Sequence, residues 1–155
     1  GLMTVGNMGS AQRMDYTMMG DAVNLAARLE GANKAYTSGL MISEATYSSC
    51  QTDVDVRELD TIRVVGRSEA VKVYQLLERK NQTSGKMADL VTQFERALET
   101  YKDGNYSDAL ASFELCTQID ESDGPALTYI ERCRGFIQQP PASDWDGVHT
   151  LTDKG

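Results

Sequence analysis

The stretch Arg13-Met14-Asp15-Tyr16-Thr17-Met18-Met19-Gly20-Asp21-Ala22-Val23-Asn24-Leu25-Ala26-Ala27-Arg28-Leu29-Glu30 decides how this chain is read. Arg13 to Met18 alternates loosely between polar and apolar residues, the pattern of a strand. Gly20-Asp21 then opens a strong helical signal, with Asp21 placed to act as its N-cap. Ala22, Leu25, Ala26, Leu29, Ala32 and Tyr36 recur at helical spacing, so that face is assigned to the core. Upstream, Leu2-Met3-Thr4-Val5 is a short apolar strand, and Gly6-Asn7-Met8-Gly9-Ser10 reads as a turn. It is not a phosphate-binding P-loop, because no Gly-Lys-Ser/Thr follows.

Downstream, the alternation of element types continues. Leu40-Met41-Ile42 is a short buried strand, and Ser43-Glu44 begins a short helix ending near Cys50. From Val54 to Leu77 the β-branched content rises, and Gly66-Arg67-Ser68-Glu69 marks the turn of a hairpin. Residues 79–86 are polar, lack apolar periodicity and read as a linker. Beyond them the chain turns helical, with Leu90, Val91, Phe94, Ala97, Leu98 and Tyr101 spaced along one helix from Met87. Gly104-Asn105 breaks it, a second helix runs from Tyr106 to Ile119, and Pro125 starts a third that reaches about Ile137. Pro140-Pro141 ends the helical part, and 138–155 is an irregular tail in which Trp145 clamps onto the helices. The fold class is therefore α+β, an alternating half at 1–78 followed by a small all-α module at 87–137.

Composition narrows the function classes. The chain has 155 residues, 41% hydrophobic and 25% charged, which is ordinary globular usage. Fifteen Lys+Arg against 23 Asp+Glu leave a net charge of −8, which argues against a nucleic-acid partner. No run approaches the roughly 20 apolar residues needed to span a bilayer, so no membrane contact is expected from this segment. Cys50, Cys116 and Cys133 are widely spaced, form no CxxC pair and point to unpaired thiols in a reducing, cytoplasmic compartment. His149 is the only histidine, so a zinc site or a Ser-His-Asp triad has almost no raw material. The two Asn-x-Ser/Thr matches, at Asn81 and Asn105, are read as chance.

Asn24 and Arg28 are the sharpest candidate pair. At i and i+4 they stack on one helix face, flanked by the small residues Ala27, Gly31 and Ala35. Such a face can approach a ligand closely, and guanidinium suits charge on a transferring phosphoryl group. The alternative is a solvated face that happens to carry an Asn and an Arg.

The wider string weighs against that alternative. Val5-Gly6-Asn7-Met8-Gly9-Ser10, the stretch from Arg13 to Glu30, Ile42-Ser43-Glu44, Arg57-Glu58-Leu59-Asp60, Ile62-Arg63-Val64 and Val73-Tyr74-Gln75-Leu76-Leu77 closely resemble the class III adenylate/guanylate cyclase catalytic domain. The resemblance covers about residues 1–78, in the family's order and spacing. It implies the C-terminal half of a ferredoxin-like domain that pairs head to tail with a second cyclase domain and binds ATP at the interface. It further implies that Asn24 positions the ribose, that Arg28 stabilises charge on the α-phosphate, and that Thr17 helps to select adenine. Thr17 read alone is a strand residue filling a sheet position, and its hydroxyl discriminates less than a carboxylate would.

Two departures from the family stand out. The aspartates that hold its two Mg²⁺ or Mn²⁺ ions lie on strands matching nothing here, so no metal ligand is expected in this chain and the ligands are expected upstream. The family's phosphate-contacting Lys is replaced by Val65, which leaves Arg63 or Arg67 as substitutes, or as solvated hairpin charges. Ala97, Tyr101, Gly104, Tyr106, Ala109, Phe113 and Cys116 resemble a single tetratricopeptide repeat. One repeat makes no long groove, so packing onto the cyclase half is the simpler expectation. The function implied is part of an adenylate cyclase making cyclic AMP and pyrophosphate, with the isolated chain inactive. The rivals are a non-catalytic dimerisation or scaffold module, and a guanylate cyclase.

Overall fold

The computed structural model describes residues 1–10, 12–64 and 69–150. Elements run in the order β1 (Thr4–Ser10), β2 (Arg13–Met19), α1 (Asp21–Tyr36), β3 (Met41–Ser43), α2 (Glu44–Cys50), β4 (Val54–Arg63), β5 (Val71–Arg79), α3 (Gly85–Lys102), α4 (Tyr106–Ile119), α5 (Gly124–Gln138) and β6 (His149–Thr150). The mixed α+β class is as expected. Strands β1 and β2 form an antiparallel ribbon apart from a second sheet of order β3-β5-β4-β6, in which only the β4–β6 pairing is parallel.

The expected turn at Gly6–Ser10 is instead strand. β1 runs through it in register with β2, Gly6 opposite Thr17 and Gly9 opposite Met14. Gly9 is there for close approach: at φ +146, a Cβ on it would stand 2.0 Å from the Arg13 carbonyl oxygen. Asp21 also departs from expectation. Gly20 is the N-cap of α1 and Asp21 lies in the first turn, where its carboxylate favours the positive end of the helix dipole. Of the expected core face, Leu29, Ala32 and Tyr36 are buried, Ala22 and Leu25 are half-buried, and Ala26 is exposed. Burial is greatest toward the C-terminal end of α1, where α5 packs against Ala35 and Tyr36.

The β4–β5 hairpin forms as expected, and its turn at residues 65–68 lies outside the described residues. Two bulges break its register, between Asp55 and Val56 and between Glu58 and Asp60. The second bends β4 so that the sequence neighbours Leu59 and Asp60 are both buried, which strict alternation forbids. The polar residues 80–84 between β5 and α3 form a fixed connection. The Asp55 carboxylate accepts the backbone N–H groups of Asn81, Gln82 and Thr83, each at 3.1 Å, and these bonds hold its pKa down at about 2.

Helices α3–α5 bury an aromatic core in which Phe113 stacks on Tyr129 at 4.7 Å and Phe94 meets both rings edge-on. Burial pushes the thiols of Cys116 and Cys133 up to about 12 and about 11, leaving both protonated and inert. The helices lie against the alternating half. Arg57 of β4, wholly buried, makes a bidentate pair with Asp123 at 2.8 and 3.1 Å, donates twice to Gln75 Oε1 and lies 4.6 Å over the Phe94 ring. The same Asp123 caps α5 by accepting from the Ala126 N–H at 3.0 Å. Trp145 packs on Phe136 as expected, and the tail beyond it adds β6 to the outer edge of β4.

Contact between α5 and α1 is close enough to be tested directly. A Cβ on Gly124 would stand 2.3 Å from the Tyr36 carbonyl oxygen. Gly124→Ala therefore pushes the two helices apart and is expected to cost about 1–3 kcal/mol, in the range of core overpacking. Thermal unfolding followed by circular dichroism checks it; an unchanged Tm would mean that α5 does not rest on α1.

Candidate active site

Asn24 and Arg28 lie one turn apart in the N-terminal half of α1, about 6 Å along its axis. Asn24 is exposed and Arg28 half-buried. Among the described residues neither side chain has a hydrogen-bond or ion-pair partner within the chain, which sets Arg28 apart from Arg57 and Arg132. The small neighbours Ala27 and Ala35 are exposed and Gly31 half-exposed, so the face around the pair is low in bulk and open. A partnerless guanidinium above a partnerless amide can accept an anionic group and a hydroxyl-bearing one together.

Thr17 stands on β2, exposed and paired with Gly6, on the strand that leads through Gly20 into α1. The ribbon and α1 are in contact and form one corner of the chain, with Thr17 on its strand and Asn24 and Arg28 on its helix. Arg63 is placed elsewhere, at the end of β4. Its Nη2 donates to Asp146 at 2.8 Å and its Nη1 to Thr150 at 3.4 Å, both on the tail. The hydrogen bond from Arg63, with that from the Val148 N–H, in turn holds the Asp146 carboxyl below the ordinary range. Arg67 lies outside the described residues, as does Val65. Among the described residues no cluster of three or more His, Cys, Asp or Glu is placed to hold a metal ion. Nor is any of their helices long and apolar enough to cross a membrane.

The ribbon carries an unusual surface. Val5, Met14, Tyr16, Met18 and Met19 are all more than half exposed, Tyr16 by 75%. A two-stranded ribbon is marginal in water on its own, and these exposed apolar side chains make this corner a surface suited to being covered.

Buried polar groups join the two halves. Asp60 sits at the β4 bulge. Its Oδ2 accepts from Tyr36 Oη and from Arg132 Nη1, both at 2.5 Å, while Oδ1 accepts from the Thr61 N–H at 2.7 Å. Arg132 Nη2 donates to Tyr36 Oη at 2.8 Å. Burial, and then the negative charge of Asp60, push the Tyr36 hydroxyl well above the ordinary tyrosine range, so it remains a donor. Arg57 and Asp60 fall within the motif read from the sequence, but Asp123 and Arg132 carry no local signal. Each is a charged residue on a helix or at its cap, indistinguishable from a solvated one until its partner is known.

Three curated proteins are similar to the chain. An adenylate cyclase of Dictyostelium discoideum, described as terminal-differentiation specific, is 38% identical over 138 residues, 86% of this chain and 6% of its own length. Adenylate cyclase 1 of Rhizobium meliloti (strain 1021) is 42% identical over 77 residues, 50% of this chain and 12% of its own. An adenylate cyclase of Anabaena cylindrica is 35% identical over 79 residues, 49% of this chain and 16% of its own. The chain thus spans between 6% and 16% of the length of these relatives. The Dictyostelium match, at 86% of the chain, necessarily takes in part of the helical half. Among solved structures, the adenylyl cyclase CyaB from P. aeruginosa is 37% identical, with a TM-score of 0.43, over 53% of this chain and 41% of that one. No family model matches the chain.

Proposed function

We propose that this chain is part of an adenylate cyclase, the C-terminal half of a class III catalytic domain that converts ATP to cyclic AMP and pyrophosphate in the cytoplasm. The observation that carries the proposal is the likeness, at 35–42% identity, to three proteins named adenylate cyclase. The Asn24–Arg28 pair, without a side-chain partner among the described residues, supports it. In the reaction the 3′-hydroxyl gives up its proton to water as its oxygen attacks the α-phosphorus, the new O3′–P bond forms, and the bond to the bridging oxygen breaks to release pyrophosphate. Such a displacement demands in-line positioning and neutralisation of developing charge rather than covalent help from the protein. Asn24 holds the ribose so that the hydroxyl is aligned. Arg28 donates to the α-phosphate oxygens as charge accumulates on them. Thr17 meets the adenine edge.

Mg²⁺ or Mn²⁺ belongs to this chemistry, but the described residues offer no ligand set for it. The metal ligands are therefore proposed to lie in a preceding part of the protein, and no step assigned to this chain runs through the metal. The exposed Met14, Tyr16 and Met18 of the ribbon support a complete domain, or the head-to-tail partner, covering this corner. The same surface is what favours the second reading, a non-catalytic dimerisation module.

Assay of the full-length protein with ATP and with GTP separates these readings. Cyclic AMP from ATP, with GTP turned over far more slowly, is expected, and the 155-residue chain alone should make none. Thr17→Ala should narrow the ATP-over-GTP preference by about 10-fold, the worth of one hydrogen-bonding group at a base edge. No cyclic nucleotide from the full-length protein would leave the scaffold reading. Cyclic GMP as the main product would make it a guanylate cyclase.

A further inference from the structure

The polar node at the foot of α1 joins three parts of the chain. Tyr36 is the last residue of α1, Asp60 sits at the bulge of β4, and Arg132 lies on α5. Their three hydrogen bonds close a triangle in which the carboxylate, phenol and guanidinium all touch one another. The Arg132 guanidinium also lies 5.3 Å from the Tyr36 ring centre and 5.1 Å from that of Tyr129. Around it, Thr128 of α5 donates to the carbonyl of Ala35 at 3.0 Å, and Tyr129 donates to the Leu59 carbonyl at 2.8 Å. The C-terminal end of α1 is thus gripped from two sides.

We propose that Arg132, Asp60 and Tyr36 are positioning residues for Asn24 and Arg28, so that the helical segment is a working part of the catalytic unit and not an appended module. This rests on the cyclase reading of the α1 face. The mechanical reason is leverage. Arg28 lies about 12 Å from Tyr36 along a stiff helix, so a tilt of about 10° at the anchor moves it about 2 Å. A displacement of that size takes a guanidinium out of hydrogen-bond reach of a phosphate oxygen and can cost about 10²-fold in rate. The node is suited to prevent such a tilt because every polar atom of Asp60 is satisfied and the hydroxyl of Tyr36 both donates and accepts. Removing one hydrogen bond loosens the anchor without emptying the core.

The experiment is a double-mutant cycle in the full-length protein, with initial rates of cyclic AMP formation and Tm measured for each variant. Tyr36→Phe keeps the ring and its packing and deletes only the hydroxyl. It is expected to lower kcat roughly 5- to 10-fold while Tm stays within a few degrees. In an Arg28→Ala background the same change should alter kcat less than about twofold, because the residue it serves is already gone. Arg132→Lys, which can still reach Asp60, should retain more of kcat than Arg132→Met at matched folding. An equal loss with and without Arg28, or no loss at all from Tyr36→Phe, overturns the inference. If Arg28→Ala alone leaves kcat unchanged, the reading of the α1 face has failed, a distinct result that removes the inference with it.

Discussion

On the proposed cyclase reading, replacing Arg28 with alanine in the full-length protein is expected to lower kcat by about 10²-fold or more, the scale of losing one transition-state donor. The size follows from where its charge is needed. In ground-state ATP the α-phosphate carries modest charge, whereas bond exchange at phosphorus gathers charge on its oxygens, so the guanidinium contributes mainly to the transition state. KM for ATP should therefore move much less than kcat. The substitution is a clean one because Arg28 has no partner within the described chain to leave orphaned. Stability should change by no more than about 0.5 kcal/mol, as for surface positions without special contacts. Steady-state kinetics paired with a thermal melt checks both halves of this expectation. An unchanged kcat removes Arg28 from the mechanism, and an equal loss in kcat and Tm makes it a structural residue.

Asp123→Ala is the largest expected effect on stability. It strands the Arg57 guanidinium, wholly buried, with only the neutral Gln75 oxygen as acceptor, and it uncaps α5. Breaking one side of a buried ion pair costs about 3–5 kcal/mol, most of it the penalty of an uncompensated charge. For a chain of this length that corresponds to a fall in Tm of roughly 10 °C or more. The reverse does not follow, because the pair itself is not a large net source of stability. Replacing both partners together, Arg57→Met with Asp123→Leu, should recover much of the loss. Thermal unfolding of the single and double variants decides it. A single variant melting within about 2 °C of the parent would show that the helices do not depend on this pair.

The two expectations concern residues of very different legibility. Arg28 was readable because its neighbours are helical by periodicity and because the string around it resembles a family with an Arg at that position. Element types were readable for the same local reason: α4 has the bounds expected, and the β4–β5 hairpin forms where the β-branched residues cluster. Asp21 and Gly6–Ser10 depart from what their local sequence suggests because caps and glycines are ambiguous locally. An aspartate one residue inside a helix looks like a cap, and a glycine that admits a neighbouring carbonyl looks like a turn.

By itself, then, the sequence determined the alternating first half, the three helices, and a candidate face carrying Asn24 and Arg28. Each depends on residues within a few positions of one another, where spacing alone dictates the geometry. Only the tertiary structure decided that the helices lock onto the sheet through Arg57–Asp123 and onto α1 through Tyr36, Asp60 and Arg132. Those partners are separated by 24 to 96 positions, and the bulge that turns Asp60 inward is itself a product of strand pairing. A charged side chain is written identically in sequence whether water or a buried counter-charge solvates it, and packing alone chooses between them.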